Sequence, residues 1–165
     1  LPYRATSDAL DAPVSVLLVT SMETKRWVLP KGNLVKGLSA HASAAHEAEE
    51  EAGVLGAACP TSIGSYRYRK RRNNGASLMV DVDVFPIAVT DELDEWKEQD
   101  RRERRWFSLV DAANAVDEPE LKGIIRGFRA NEVNRAFKAG PLASFREMGR
   151  GFRLFHRFQA LLPRQ

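Results

Sequence analysis

A chain of 165 residues with 44% hydrophobic composition can bury one sizeable core, and none of its apolar runs nears the roughly 18 to 20 residues that cross a bilayer. Cys59 is the only cysteine and closes no internal disulfide. Together with the lack of a signal-peptide pattern, this leads to the expectation of a soluble protein in a reducing cytoplasm, although Leu1 is not an initiator methionine. The net charge of +3 is uneven: residues 121–165 hold 10 of the 25 Lys and Arg residues but only 2 of the 22 acids, so the base lies in the tail.

Val14 to Thr20 (VSVLLVT) is an apolar, β-branched run of strand length, and RWVLP is a short extended piece stopped by Pro30. Gly32, Gly37 and the adjacent lysines Lys31 and Lys36 predict a loop. Ser39 is a fitting N-cap for a helix that runs to about Ala52, where Gly53 can take the left-handed conformation that ends it. SIGSYRYRKRR and ASLMVDVDVFPIAV predict two strands joined through the Asn73-Asn74-Gly75 turn. RRWFS, Arg104 to Ser108, predicts another strand. A short helix over Leu109 to Val116 and a longer one over Glu118 to Asn134 are expected to follow. After Gly140-Pro141, LASFREMGRGFRLFHRFQALL predicts a last helix, weakened by Gly149 and Gly151.

The predicted helix after Ser39 gathers acid. Ala45, Ala48 and Ala52 fall on one side of the wheel, and Glu47, Glu50 and Glu51 fall together on the other. Like charges at these spacings repel, and carboxylates in the last turns face the negative end of the helix dipole. No Lys or Arg lies between Lys36 and Arg67, so the usual helical partner is missing. Either the face is merely solvated, or a divalent cation supplies the positive charge. Hard oxygen ligands at this spacing suit Mg²⁺ or Mn²⁺.

The surrounding pattern favours the cation. From Gly32, five residues lead to position 38 and seven more lead to His46-Glu47-Ala48-Glu49-Glu50-Glu51-Ala52-Gly53-Val54. This resembles the Nudix box of the Nudix hydrolases: Gly, five residues, Glu, seven residues, then Arg-Glu-apolar-any-Glu-Glu-any-Gly-apolar. The preceding WVLPKG accompanies the box in that family. Leu38 and His46 stand where the family has Glu and Arg. Those two side chains pair with each other in the family, so their joint replacement strands neither charge. The resemblance implies an α/β/α sandwich with a mixed sheet, whereas spacing alone gives only an α/β or α+β domain.

The resemblance also implies site roles. Glu50, Glu51 and the Gly32 carbonyl would be metal ligands, and Glu47 a further ligand or the base that positions water, with Mg²⁺, or alternatively Mn²⁺, as cofactor. A diphosphate is shielded by its own negative charge, so its hydrolysis needs cations on its oxygens and a more acidic water. DELDEW and RRWFSLVDA look like the matching stretch of the diphosphoinositol polyphosphate phosphohydrolase branch, which also cleaves dinucleoside polyphosphates, and PKG is similar to the diadenosine polyphosphate hydrolases. The resemblance runs from about Val14 to Phe128. The domain is accordingly expected over residues 1–128. Residues 129–165 lie outside the resemblance and are expected to form a basic helical extension packed on the domain or on the partner subunit of a homodimer.

Arginines supply a separate clue. Arg67, Arg69 and Arg71 share one face of a predicted strand, where they either guard an exposed edge or grip phosphate oxygens in forks. Arg26 and Lys31 could join them as binding residues for a small-molecule polyphosphate. An extra acidic ligand from Asp91, Glu92, Asp94 or Glu95 is left unassigned. In the tail, Phe145, Phe152, Phe155 and Phe158 recur among arginines, which suits a docking helix with a basic face and, more weakly, an RNA or anionic membrane surface. The reading is therefore a Mg²⁺-dependent phosphoanhydride hydrolase. Its rivals are a binding module with little turnover and an RNA 5′-end pyrophosphohydrolase.

Overall fold

The computed structural model describes residues 1–139 apart from positions 8, 10, 11 and 72–74, with the side chains of residues 71, 136, 138 and 139 set aside. The chain runs β1 (Pro2–Ala5), β2 (Val14–Thr20), β3 (Trp27–Val28), α1 (Ala40–Ala52), β4 (Val54–Ala58), β5 (Ser65–Arg71), β6 (Ser77–Asp83), β7 (Ile87–Glu92), β8 (Arg104–Ser108), α2 (Leu109–Ala115), α3 (Pro119–Gly127) and α4 (Ala130–Ala139).

β2 is the hub because both of its faces are apolar. Val16 and Leu18 face one layer and Leu17 and Val19 the other, all with no exposure, and each such side chain stabilises the fold by about 1.5–3 kcal/mol. The main sheet runs β3-β2-β1-β7-β4, with β8 pairing β2 from Ser15↔Ser108 to Val19↔Arg104. β1 and β7 pair in parallel and the other neighbours are antiparallel, so the sheet is mixed. On one face, Ala48 and Ala52 of α1 press against Leu17, Val19 and Val54. On the other, α2, α3 and α4 cover Tyr3, Val16 and Leu18. The result is an α/β/α sandwich. β5 and β6 form a separate antiparallel ribbon.

α1 begins and ends where its caps dictate. The Ser39 hydroxyl accepts the Ala42 amide, and Gly53 sits at φ 60°, returning its N–H to Ala48 and Glu49.

Three expectations need correction. ASLMVDVDVFPIAV is two strands rather than one: β6 pairs with β5, whereas β7 lies in the main sheet. Pro86 divides them, since it has no N–H for a ladder and its carbonyl accepts from Cys59 instead. The helix expected over Glu118 to Asn134 breaks at Phe128, whose extended backbone (φ −64°, ψ 134°) turns the ring inward to meet Tyr3 edge-on at 4.9 Å. β1 and β4 were not anticipated, because four or five residues containing Pro, Ala and Gly carry too little alternation to signal a strand. The Asn73-Asn74 turn and the helix expected after Gly140 lie outside the described residues.

Candidate active site

Gly53 and Ser39 fix the ends of α1, and the two small alanines let it lie flat on the sheet, so the Glu47, Glu50 and Glu51 face is turned away from the core. That face is not bare. The loop carrying Lys31 and Gly32 crosses one side of it, and the connection from Leu93 to Glu103 folds over the other.

Gly32 lies so close to Glu47 that a Cβ at position 32 would collide with its carboxylate. Glu51 is buried, and both of its oxygens are engaged: Oε2 accepts the Lys31 amide at 3.0 Å and Oε1 accepts the Arg102 guanidinium. Arg102 also donates to Glu98 and, at 2.9 Å, to the Thr20 carbonyl. Glu50 Oε1 accepts from Lys97 Nζ at 2.6 Å, with His46 Nε2 at 3.3 Å from the same oxygen. The acid therefore has basic partners after all, drawn from some 50 residues along the chain.

The helix end is served in the same way. Arg104 donates to the carbonyls of Ala52 (2.8 Å), Gly53 (3.1 Å) and Leu93 (2.9 Å), and its guanidinium stacks on Trp96 at 4.1 Å. A cation at the negative end of the dipole offsets the carboxylates gathered there.

These environments push the three carboxyls apart. Burial raises Glu51, against the opposing pull of the Lys31 amide and Arg102. Burial, then the neighbouring Glu50, raises Glu47. The Lys97 hydrogen bond holds Glu50 below the usual carboxylate range. One site thus contains carboxyls of differing proton affinity, which acid–base chemistry can exploit.

The basic residues expected at the site separate into two groups. Lys31 and Arg26 lie beside it. The Lys31 ammonium sits 5.1 Å from the centre of the Tyr68 ring, and burial lowers its pKa despite the attraction of Glu51. Arg26 is bound to Glu118 at 2.7 Å, with Asp117 at 3.5 Å. Arg67 and Arg69 are not brought to them. β5 turns Tyr66 and Tyr68 inward, so these arginines point out on the opposite face, and Arg67 pairs across the ribbon with Asp81 at 2.6 Å. The Arg71 side chain lies outside the described residues.

The sequence reading missed Lys97, Glu98, Arg102 and Glu118. The i,i+4 spacing of Glu98 and Arg102 was a visible hint of their mutual pair, but no local pattern ties either residue to α1. Glu98 lies close enough to raise both Glu47 and Glu51. Glu118 keeps Oε2 buried without a partner beside Arg26.

The family model described as NUDIX domain matches residues 8–128. The chain belongs to the Nudix family. Among curated relatives, Nudix hydrolase 4 of Arabidopsis thaliana is 32% identical over 132 residues, covering 78% of this chain and 62% of its own length. Nudix hydrolase 21 of the same plant, chloroplastic, is 29% identical over 129 residues, covering 78% and 63%. This chain thus spans somewhat over three-fifths of the length of those relatives. Of solved structures, a C. elegans Ap4A hydrolase binary complex superposes with a TM-score of 0.52 at 22% identity, covering 85% of this chain and 94% of that one, which shows the fold.

Nudix hydrolases generally use a divalent metal such as Mg²⁺, and the residues present fit such an ion in chemistry. The donors are hard oxygens, and the cradle at Gly32 brings its backbone against Glu47 where any side chain would intrude. A cationic group already stands at Glu50, within the electrostatic reach of Glu47 and Glu98. As they stand, no three His, Cys, Asp or Glu side chains among the described residues converge as ligands; Glu50 is paired with Lys97 and Glu51 with Arg102.

Proposed function

We propose that this Nudix domain hydrolyses a phosphoanhydride bond, with Mg²⁺ or Mn²⁺ as cofactor and a small-molecule polyphosphate as substrate. The observation that carries the reading is the packing of Gly32 on Glu47 beside Glu50 and Glu51, with Lys31 at the rim of the same face. The cation, when bound, would neutralise phosphate oxygens and acidify a water.

The chain's own residues have separate tasks in this reading. Glu50, Glu51 and the Gly32 carbonyl would hold the cation, with Glu98 as the acid from beyond the box. Glu47, whose carboxyl is raised by burial, would take a proton from water. Lys31 and Arg26 would face the anion. Among the described residues no carboxylate comes within ion-pairing distance of the Lys31 ammonium, so that charge is available to a phosphate.

The substrate class we favour is a dinucleoside polyphosphate or a diphosphoinositol polyphosphate. The first is supported by the fold shared with the C. elegans Ap4A hydrolase, and the second by the DELDEW and RRWFSLVDA stretches. The test is a panel of phosphoanhydrides assayed for Mg²⁺-dependent release of phosphate or nucleotide. Glu50→Gln and Glu51→Gln should each lower turnover about 100-fold or more. Full turnover in both variants would refute the site.

A second reading has one observation in its favour. Glu51 has both oxygens engaged and Glu50 is paired with Lys97, so the site as it stands is bolted shut by its own cations. A module that binds a polyphosphate with little turnover would look the same. Calorimetry showing ligand affinity with no product over hours would favour it.

A further inference from the structure

Lys97 and Arg102 both meet the glutamates of α1, yet they are built differently. Arg102 is 9% exposed and spends its guanidinium on Glu51, Glu98 and a main-chain carbonyl of β2, so it is part of the frame. The Lys97 side chain is 63% exposed and, among the described residues, its ammonium is paired with Glu50 Oε1 alone. Exposed pairs of this kind on a flexible stem are weak. The Lys97 charge is nevertheless set toward three acids: Glu50 directly, with Glu98 and Glu47 close behind. An ammonium so placed holds a position that a divalent cation on Glu50 would need.

We propose that Lys97 is an exchangeable counter-ion of the site, holding Glu50 while no divalent cation is bound, yielding it when one binds, and then turning to the polyphosphate. The inference rests on the function proposed above. Its physical basis is competition for charge: the ammonium 2.6 Å from Glu50 Oε1 and a divalent ion on the same carboxylate draw on one negative charge, and the ion's double charge repels the ammonium once it is there. The four-carbon stem then lets the displaced head reach an anion seated on the same ion. His46, on the preceding turn of α1, stands 3.3 Å from the same oxygen and differs from Lys97 in being carried by the helix itself. The consequence is a site that keeps its acids from repelling one another when empty and that adds a cation to the substrate side when filled.

The test uses Mn²⁺ alone, followed by electron paramagnetic resonance of the free ion, on the full chain and on Lys97→Gln and Lys97→Arg. With the competing charge gone, Lys97→Gln should bind Mn²⁺ about two- to fivefold more tightly, and Lys97→Arg should match the wild type. Inorganic tripolyphosphate is then titrated into each Mn²⁺-saturated protein, where Lys97→Gln should bind it several-fold more weakly. Equal or weaker Mn²⁺ binding in Lys97→Gln would overturn the counter-ion role, and undiminished tripolyphosphate binding would overturn the second role. The parent reading fails separately, through a wild type that binds no Mn²⁺ or Glu50→Gln and Glu51→Gln proteins that bind it as well as the wild type.

Discussion

Glu51 shows what a single residue of this site has to reconcile. It is buried and acidic, its carboxyl is raised by that burial, and its two oxygens are committed to Lys31 and Arg102. Removing one partner of a buried pair leaves the other uncompensated. Arg102→Met is therefore expected to destabilise the fold by about 3 kcal/mol, read by urea denaturation, and adding Glu51→Gln to it should restore part of the loss. Gly32→Ala acts on the opposite wall. Its methyl would displace the Glu47 carboxylate, and the expected result is at least roughly tenfold weaker Mn²⁺ binding, since disturbing the groups that orient a metal's ligands typically costs that much. A variant that binds Mn²⁺ as the wild type does would show that Glu47 is not held by this contact.

At the scale of elements, α1 is anchored by groups that do not belong to it. Its own sequence supplies Ser39 and Gly53, and those caps were legible because each is a local signal. Arg104 was not: it reaches the α1 carbonyls from β8, half a domain later in sequence, and the same is true of Lys97 on Glu50 and Arg102 on Glu51. Local reading could find the repulsion but not the cations that relieve it. Arg104→Leu tests this anchoring. Losing three carbonyl contacts and the stacking on Trp96 should lower stability by about 2 kcal/mol, again by urea denaturation, and an unchanged midpoint would show that α1 needs no external cap. β5 teaches a related lesson. Its alternation was visible, so Arg67 and Arg69 were correctly placed on one face, but which face looks inward depends on the ribbon's docking, and the tyrosines won because Tyr66 and Tyr68 can be buried at less cost than arginines.

At the scale of the whole molecule, the Arg26–Glu118 pair ties the approach to β3 to the start of α3, joining the segment before the site to the layer on the far side of the sheet. Burial acts to raise Glu118, yet the Arg26 hydrogen bond and charge bring its carboxyl below the ordinary glutamate value. A depressed folded-state pKa means that the stabilisation is present above the unfolded value and is lost as pH falls through the folded one. Glu118→Gln should therefore cost about 1 kcal/mol near neutral pH, and the gap to wild type should narrow as pH falls below the ordinary glutamate range, measured by urea unfolding at neutral and acid pH. A gap that persists in acid would contradict the ionic account. The layered fold was legible only through the resemblance that the box carries, since spacing alone gave no more than an α/β or α+β domain. What escaped was the short strands β1 and β4 and the division at Pro86, where tertiary pairing rather than local preference decides.

The proposed function requires the glutamate face of α1 to hold a divalent ion against a polyphosphate. The decisive measurement is a crystal soaked with Mn²⁺ and a non-hydrolysable dinucleoside polyphosphate. An anomalous peak is expected at oxygen-ligand distance from Glu50 and Glu51, with phosphate oxygens on its far side. The analogue seated there with only water beside those two carboxylates would contradict it.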